Sequence, residues 1–235
     1  MPEQNNIEQT PFFAHETLRE GQKEMLEDSI KALRNKGHHL AAAPTGIGKT
    51  AAALAAALEV LSNSINKKIF FLTGRQSQHK IVVETIKDIN NTLDFQNIKC
   101  VDIIGRQSMC VELDLFSGKC NCEQGLPGGI KQIAYEDLKE MILDTPLHVD
   151  QVIKKSRDRF LCPWKVLRNS AKDADIIVCD YNHLFIDIIR ENSLPGLGVA
   201  LEDIIIIVDE AHNLPNRIRK GLERRLTKRI LRGGR

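Results

Sequence analysis

Residues Ala43-Pro44-Thr45-Gly46-Ile47-Gly48-Lys49-Thr50 place two glycines, a lysine and a threonine between a small apolar run and an alanine-rich one. Gly46 and Gly48 permit a tight loop whose N–H groups turn inward, and a helix opening there presents its positive end to anionic oxygens. Lys49 is then placed to reach the β- and γ-phosphates of a nucleotide, and the Thr50 hydroxyl can ligate magnesium. A plain glycine turn at a helix start would not need Lys-Thr after its second glycine. The eight residues match the P-loop pattern except at the first position, which is Ala43 rather than Gly. They point to a site for ATP with Mg2+.

A second chemical signal lies far downstream, in "IIIIVDEAH" (204–212). Asp209 ends an apolar strand, where its carboxylate can hold the magnesium ion through water. Glu210 beside it can orient or deprotonate an attacking water. An acid pair at a strand end can also be simple helix capping. In a chain that carries a P-loop, the hydrolytic reading dominates. His212 adds little, since a lone histidine there is equally a packed surface residue.

These residues need a scaffold that brings them together. "HLAAAP" reads as a short strand before the loop, and "GKTAAALAAALEVLSNS" as a helix rich in the best helix former. "KKIFFLTG" (67–74), "IKCVDIIG" (98–105), "DADIIVCD" (173–180) and "EDIIIIVDE" (202–210) are nearly continuous apolar runs. "SQHKIVVETIKDINN" and "YNHLFIDIIREN" read as helices, and Thr17 can cap an earlier one carrying Leu18, Met25, Leu26, Ile30 and Leu33 and ending near Gly37. Alternating strands and helices with buried runs predict an α/β fold, a parallel sheet covered on both faces. Ligands in such folds sit at the carboxyl ends of the strands, where both motifs fall. The stretch 106–166 breaks the rhythm and reads as an inserted, cysteine-containing domain. The expected organisation is therefore 1–105, then the insertion 106–166, then 167–235.

Composition narrows the class further. Apolar residues make up 42% of the 235-residue chain, enough for a substantial core and against wholesale disorder. "MPEQNNIEQTPFF" lacks the basic flank and apolar core of a signal peptide. The run 204–208 is too short to cross a bilayer. The expectation is a cytoplasmic protein with no membrane association. The net charge of +2 is uneven: nine of 33 basic residues, but one of 31 acids, fall in 217–235, leaving 24 bases against 30 acids before it. Such a tail can be a nucleic-acid footprint or the solvated face of a helix with Ile218, Leu222, Leu226 and Ile230 on its apolar side; the pattern favours the solvated face.

Six cysteines in such a chain argue against disulfides and for metal or packing. Cys100 and Cys179 lie inside apolar strands and read as core. Cys110, Cys120, Cys122 and Cys162 all fall in the insertion, and four thiolates suit either zinc or an iron–sulfur cluster.

"APTGIGKT" taken with "DEAHN" resembles superfamily 2 helicases, specifically the XPD-like iron–sulfur helicases, whose DinG relatives share the plan. "LREGQKEM" is similar to the family segment with an adenine-reading glutamine, here Gln22. "TGRQSQ" (73–78) resembles the motif that contacts the DNA backbone. "GRQSMC" (105–110) and "CPW" (162–164) resemble the segments that open and close the cluster domain, and "DADIIVCDYNHLF" the strand and helix after it. The resemblance implies a RecA-like first motor lobe of an ATP-dependent 5′→3′ DNA helicase, acting on single-stranded or forked DNA in repair. It implies a [4Fe–4S] cluster on Cys110, Cys120, Cys122 and Cys162, although Cys120-x-Cys122 is tighter than the family's usual spacing. The family's second lobe, with its arginine finger, would follow "DEAHN", so the reading expects it to be missing here and the chain to be truncated. The alternative is a fragment that binds nucleotide and nucleic acid without catalysis.

Overall fold

A computed structural model describes residues 10–14, 18–44, 46–64, 66–94, 97–110, 112, 114, 117 and 127–223. Thr17, Thr45, Cys120, Cys122, Leu226, Ile230 and the basic residues after Glu223 lie outside the described residues. Four strands, β1 (Lys68–Leu72), β2 (Cys100–Asp102), β3 (Ile176–Cys179) and β4 (Ile204–Val208), form a parallel sheet in the order β2-β3-β1-β4. The four late apolar runs thus become strands, as their composition predicts.

Because side chains alternate along a strand, each strand feeds two cores. Ile69, Phe71, Ile176, Val178 and Ile205 point to one face. There they meet α1 (Gln22–Arg34), α2 (Lys49–Ser62) and α3 (Gln76–Thr92). Phe70, Leu72, Val101, Ile103 and Ile177 point to the other. That face is covered by α5 (Gly128–Asp144), α6 (Val149–Arg157), α7 (Pro163–Ala171) and α9 (Asp187–Leu197), with the short α4 (Arg106–Met109) packed on α7. Leu138, Ile142, Val149, Val152, Val166 and Leu167 all join this second core. The helices of the cysteine-bearing segment therefore form a layer of the sandwich and rest directly on the sheet.

The alanines of α2 have a packing role besides their helix propensity. Eight of its residues are buried, Ala51, Ala52, Ala55, Ala56 and Ala57 among them, so α1 and the sheet can both approach closely. In α1, Leu26 and Ile30 turn one stripe inward. The helix starts at Gln22, after Gly21 in a left-handed turn (φ 78°), and ends at Arg34.

Two expectations are corrected. "HLAAAP" forms no strand: Leu40 is 86% exposed and residues 38–44 run beside no strand partner among the described residues. Alanine is a poor strand former, and an unpaired strand has neither ladder hydrogen bonds nor a face to bury. "YNHLFIDIIREN" divides into α8 (Asn182–Phe185) and α9, because Ile186 is extended (φ −108°, ψ 111°). Its side chain lies where a Cβ on Gly221 would sit, so the break packs Ile186 against α10 (Leu214–Leu222).

Candidate nucleotide site

The loop before α2 has the geometry its glycines suggest. Gly46 and Gly48 both adopt positive φ (86° and 85°), and Gly48 is the residue on which α2 begins. A side chain at Gly48 would also collide with Gln22, whose Nε2 lies 2.3 Å from where a Cβ would be. Gly21 packs on the loop less tightly, with 3.0 Å between its would-be Cβ and Ile47 Cδ1. Positive φ and contact with α1 thus both demand glycine at 48.

Lys49 folds back over this loop. Its Nζ donates to the carbonyls of Ala43 (2.9 Å) and Pro44 (3.0 Å), which places the cation at the mouth of the ring of amides. Thr50 occupies the first turn of α2 beside it. Gln22 is 1% exposed; its amide donates to Gly48 O (3.4 Å) and its Oε1 accepts from Arg19 N–H (2.6 Å). The Arg19 guanidinium in turn donates to the Gly46 carbonyl. Gln22 therefore clamps the P-loop to the start of α1. Arg19 was invisible to sequence reasoning, because nothing local distinguishes it from a surface arginine.

Asp209 follows β4, with its N–H bonded to Leu72 O (2.9 Å), and the neighbouring Thr73 hydroxyl donates to its carboxylate (3.4 Å). Burial, then the adjacent Glu210 charge, push Asp209 above the usual carboxylate range, while the positive charge of Lys49 pulls it back down. The hydrogen bond from Thr73 also lowers it, more than Lys49 does. Hydroxyl and carboxylate oxygens from Thr50 and Asp209 form a hard donor set that suits Mg2+. Glu210 is more exposed, and its carboxylate lies 3.4 Å from His212 Nδ1. Its backbone is left-handed (φ 49°, ψ 46°), an uncommon state for a residue with a side chain.

Tyr181, directly after β3, reaches across to this turn: its hydroxyl donates to the Asp209 carbonyl. Sequence reasoning missed it, although it stands at the carboxyl end of a strand, where ligand-site residues of such sheets gather. Next to it, Asp180 pairs with Arg217 of α10, so the first arginine of the basic tail is held against the end of the sheet.

The cysteines divide as their settings suggest. Cys100 and Cys179 lie within β2 and β3, 1% and 0% exposed, and burial pushes both thiols well above their ordinary value; they are core thiols. Cys110 closes α4 and Cys162 caps α7, two helices in contact, and both residues are buried. Among the described residues no three metal-ligating side chains converge, two of the four candidate ligands lying outside them.

A P-loop pattern at the start of α2, which packs on β4, and an acid pair after β4 define a P-loop α/β lobe. Residues 71–231 match the DEAD_2 family, and the chain belongs to it; residues 15–114 also match "Type III restriction enzyme, res subunit". The chain is an XPD-like superfamily 2 member. The "ATP-dependent DNA helicase XPD" of Sulfolobus acidocaldarius is 31% identical over 204 residues, covering 84% of this chain and 33% of that protein. The "ATP-dependent DNA helicase chl1" of Schizosaccharomyces pombe is 25% identical over 162 residues, 64% of this chain and 19% of its own. Among solved structures, "XPD_Helicase" superposes with a TM-score of 0.62 at 27% identity, covering 85% of this chain and 34% of that one. "Truncated XPD" gives 0.58 at 27% identity, covering 87% and 55%. The chain spans about a third or less of the length of these curated relatives.

Proposed function

We propose that this chain is the first motor lobe of an ATP-dependent, 5′→3′ DNA helicase of the iron–sulfur type, acting on single-stranded or forked DNA in repair. The observation that carries the reading is the loop itself, with Gly46 and Gly48 left-handed and Lys49 folded onto the Ala43 and Pro44 carbonyls at the start of α2, a helix that packs on β4, the strand that Asp209 follows. In this reading the backbone N–H groups of Gly46 to Lys49 and the start of α2 receive the phosphates, and Lys49 exchanges its two carbonyl partners for the β- and γ-oxygens. Glu210 orients the attacking water and takes its proton. Thr50 and Asp209 would hold Mg2+, which would supply neutralising charge to the phosphates. The resemblance gives Gln22, bonded to Gly48 O, the reading of the adenine. Arg75, which opens α3 next to Gly74, belongs to the segment proposed to hold the DNA backbone. Cys110, Cys120, Cys122 and Cys162 would hold a [4Fe–4S] cluster, a structural and redox-capable group beside the strand-separating end.

Hydrolysis at speed needs an arginine on the γ-phosphate, a contribution on the order of 10³–10⁵ in rate. Arg217 is paired with Asp180, and unwinding also requires two lobes that close on nucleotide. The test is DNA-stimulated ATP turnover and duplex separation by the 235-residue chain, and by a version joined to a second lobe. The short form is expected to bind Mg-ATP with little turnover and no unwinding, and the joined form to unwind with 5′→3′ polarity. Robust unwinding by the short form as a monomer overturns this assignment of roles.

A further inference from the structure

Tyr181 is 1% exposed and heads the large side chains that are fully buried, yet it carries a hydroxyl, which must find partners when buried. It finds them on the turn after β4, while its ring packs on a second motif. The hydroxyl donates to Asp209 O and lies 3.4 Å from Glu210 O. Gly74 packs so tightly on the ring that a Cβ there would stand 3.0 Å from Tyr181 Cε2. Burial, then the Asp209 charge, push the phenol up, so it remains a neutral donor. On the receiving side Glu210 is left-handed. Such a backbone is strained and persists only where its surroundings hold it. The carbonyls of Asp209 and Glu210 flank that strained residue, and both face one phenol.

Resting on the motor reading above, we infer that Tyr181 is a positioning residue that ties Gly74, in the DNA-contacting segment 73–78, to the turn carrying Asp209 and Glu210, so that DNA and nucleotide affinities are coupled through it. The phenol has a single proton, already committed to Asp209 O. A movement of the 74–75 backbone on taking up a DNA phosphate therefore shifts the ring packed on Gly74 and, with it, the hydrogen bond that the phenol gives to Asp209 O. Glu210 is displaced or fixed accordingly, and by thermodynamic reciprocity nucleotide must act on DNA affinity by the same factor.

The experiment is a four-affinity cycle on the protein at its full natural length. Calorimetry measures binding of a non-hydrolysable Mg-ATP analogue with and without single-stranded oligothymidylate, and of the oligonucleotide with and without the analogue. Tyr181→Phe keeps the ring and removes only the hydroxyl, and thermal unfolding shows whether the variant is folded. The parent is expected to show coupling within the ordinary range of about 5–150-fold. In Tyr181→Phe the coupling should fall to within about twofold of none, with each ligand alone bound within about twofold of parent, a split that a merely structural tyrosine would not produce. A variant with parental coupling, or a parent with none, overturns the inference while leaving the motor reading intact. A parent that binds neither ligand overturns the motor reading itself.

Discussion

The nucleotide end of the molecule and the cysteine-bearing segment reach their sites by opposite routes. At the nucleotide end the ligating groups are mostly backbone amides of one short loop, and their geometry follows from two left-handed glycines and a helix start. The acids that complete it are positioned by a strand whose register against β1 is fixed over five residues. In the cysteine segment the candidate groups are side chains on separated turns, Cys110 after α4 and Cys162 before α7. Backbone sites are written in contiguous sequence; side-chain sites depend on how distant turns are packed.

The largest expected effect separates the cysteines into two pairs. Anaerobically purified protein is expected to be brown, with about four irons and matching acid-labile sulfide per chain. Cys110→Ser and Cys162→Ser should each abolish the colour, whereas Cys100→Ser and Cys179→Ser, inside β2 and β3, should keep it. Stoichiometric zinc without sulfide would replace the cluster by a zinc module. Loss of colour in all four variants would mean that the strand thiols are not simple core residues.

Next in size is the support beneath the loop. Leu54 of α2 is fully buried between α1 and the sheet, so Leu54→Ala should destabilise by about 2–5 kcal/mol in denaturant unfolding. A cost below about 0.5 kcal/mol, that of a surface change, would mean that α2 is held by its loop and not by its buried face. Lys49→Ala should weaken Mg-ATP binding by more than about tenfold, on the order of 1.4 kcal/mol or more, because it removes the one point charge of the loop. Equal affinities in calorimetry would remove the P-loop assignment and, with it, the contrast between the two regions.

How much of this was legible in the sequence follows the same division. β1 to β4 could be read because each is a buried apolar run between helices, and the P-loop because glycine, lysine and threonine have few other reasons to stand in that order. "HLAAAP" misled because composition shows whether a run tolerates burial but not whether a neighbour exists to pair with it; at Leu40 none does among the described residues. "YNHLFIDIIREN" has helical periodicity throughout, and its break at Ile186 is set by a contact with Gly221, far along the chain. Tyr181 and Arg19 were missed for a related reason, since a hydrogen bond to a distant carbonyl leaves no local pattern. Gln22 was found only because a known family carries a glutamine in that setting.

The smallest expected effect concerns Asp209, where function and stability should move in opposite directions. Its carboxyl is raised above its ordinary value of 3.8, first by burial and then by Glu210. In the absence of ligand the folded state therefore binds a proton more tightly than the unfolded chain does. By linkage this group makes stability fall as pH rises, from the unfolded value up to the raised folded one, after which its contribution is flat. At neutral pH the ionised carboxylate is thus a net cost to the ligand-free fold, which magnesium and nucleotide would offset. Asp209→Asn should remove that cost, giving a slightly higher Tm at pH 7 without ligand and a flatter stability profile through the acidic window. The same substitution should reduce the magnesium dependence of nucleotide binding, since an amide is a poorer ligand for a hard cation. Thermal unfolding from pH 4 to 8, with and without Mg-ATP, distinguishes the two effects. A lower ligand-free Tm for Asp209→Asn at pH 7 would show that the Thr73 hydrogen bond and the attraction of Lys49 outweigh burial, making the acid a structural residue as much as a metal ligand.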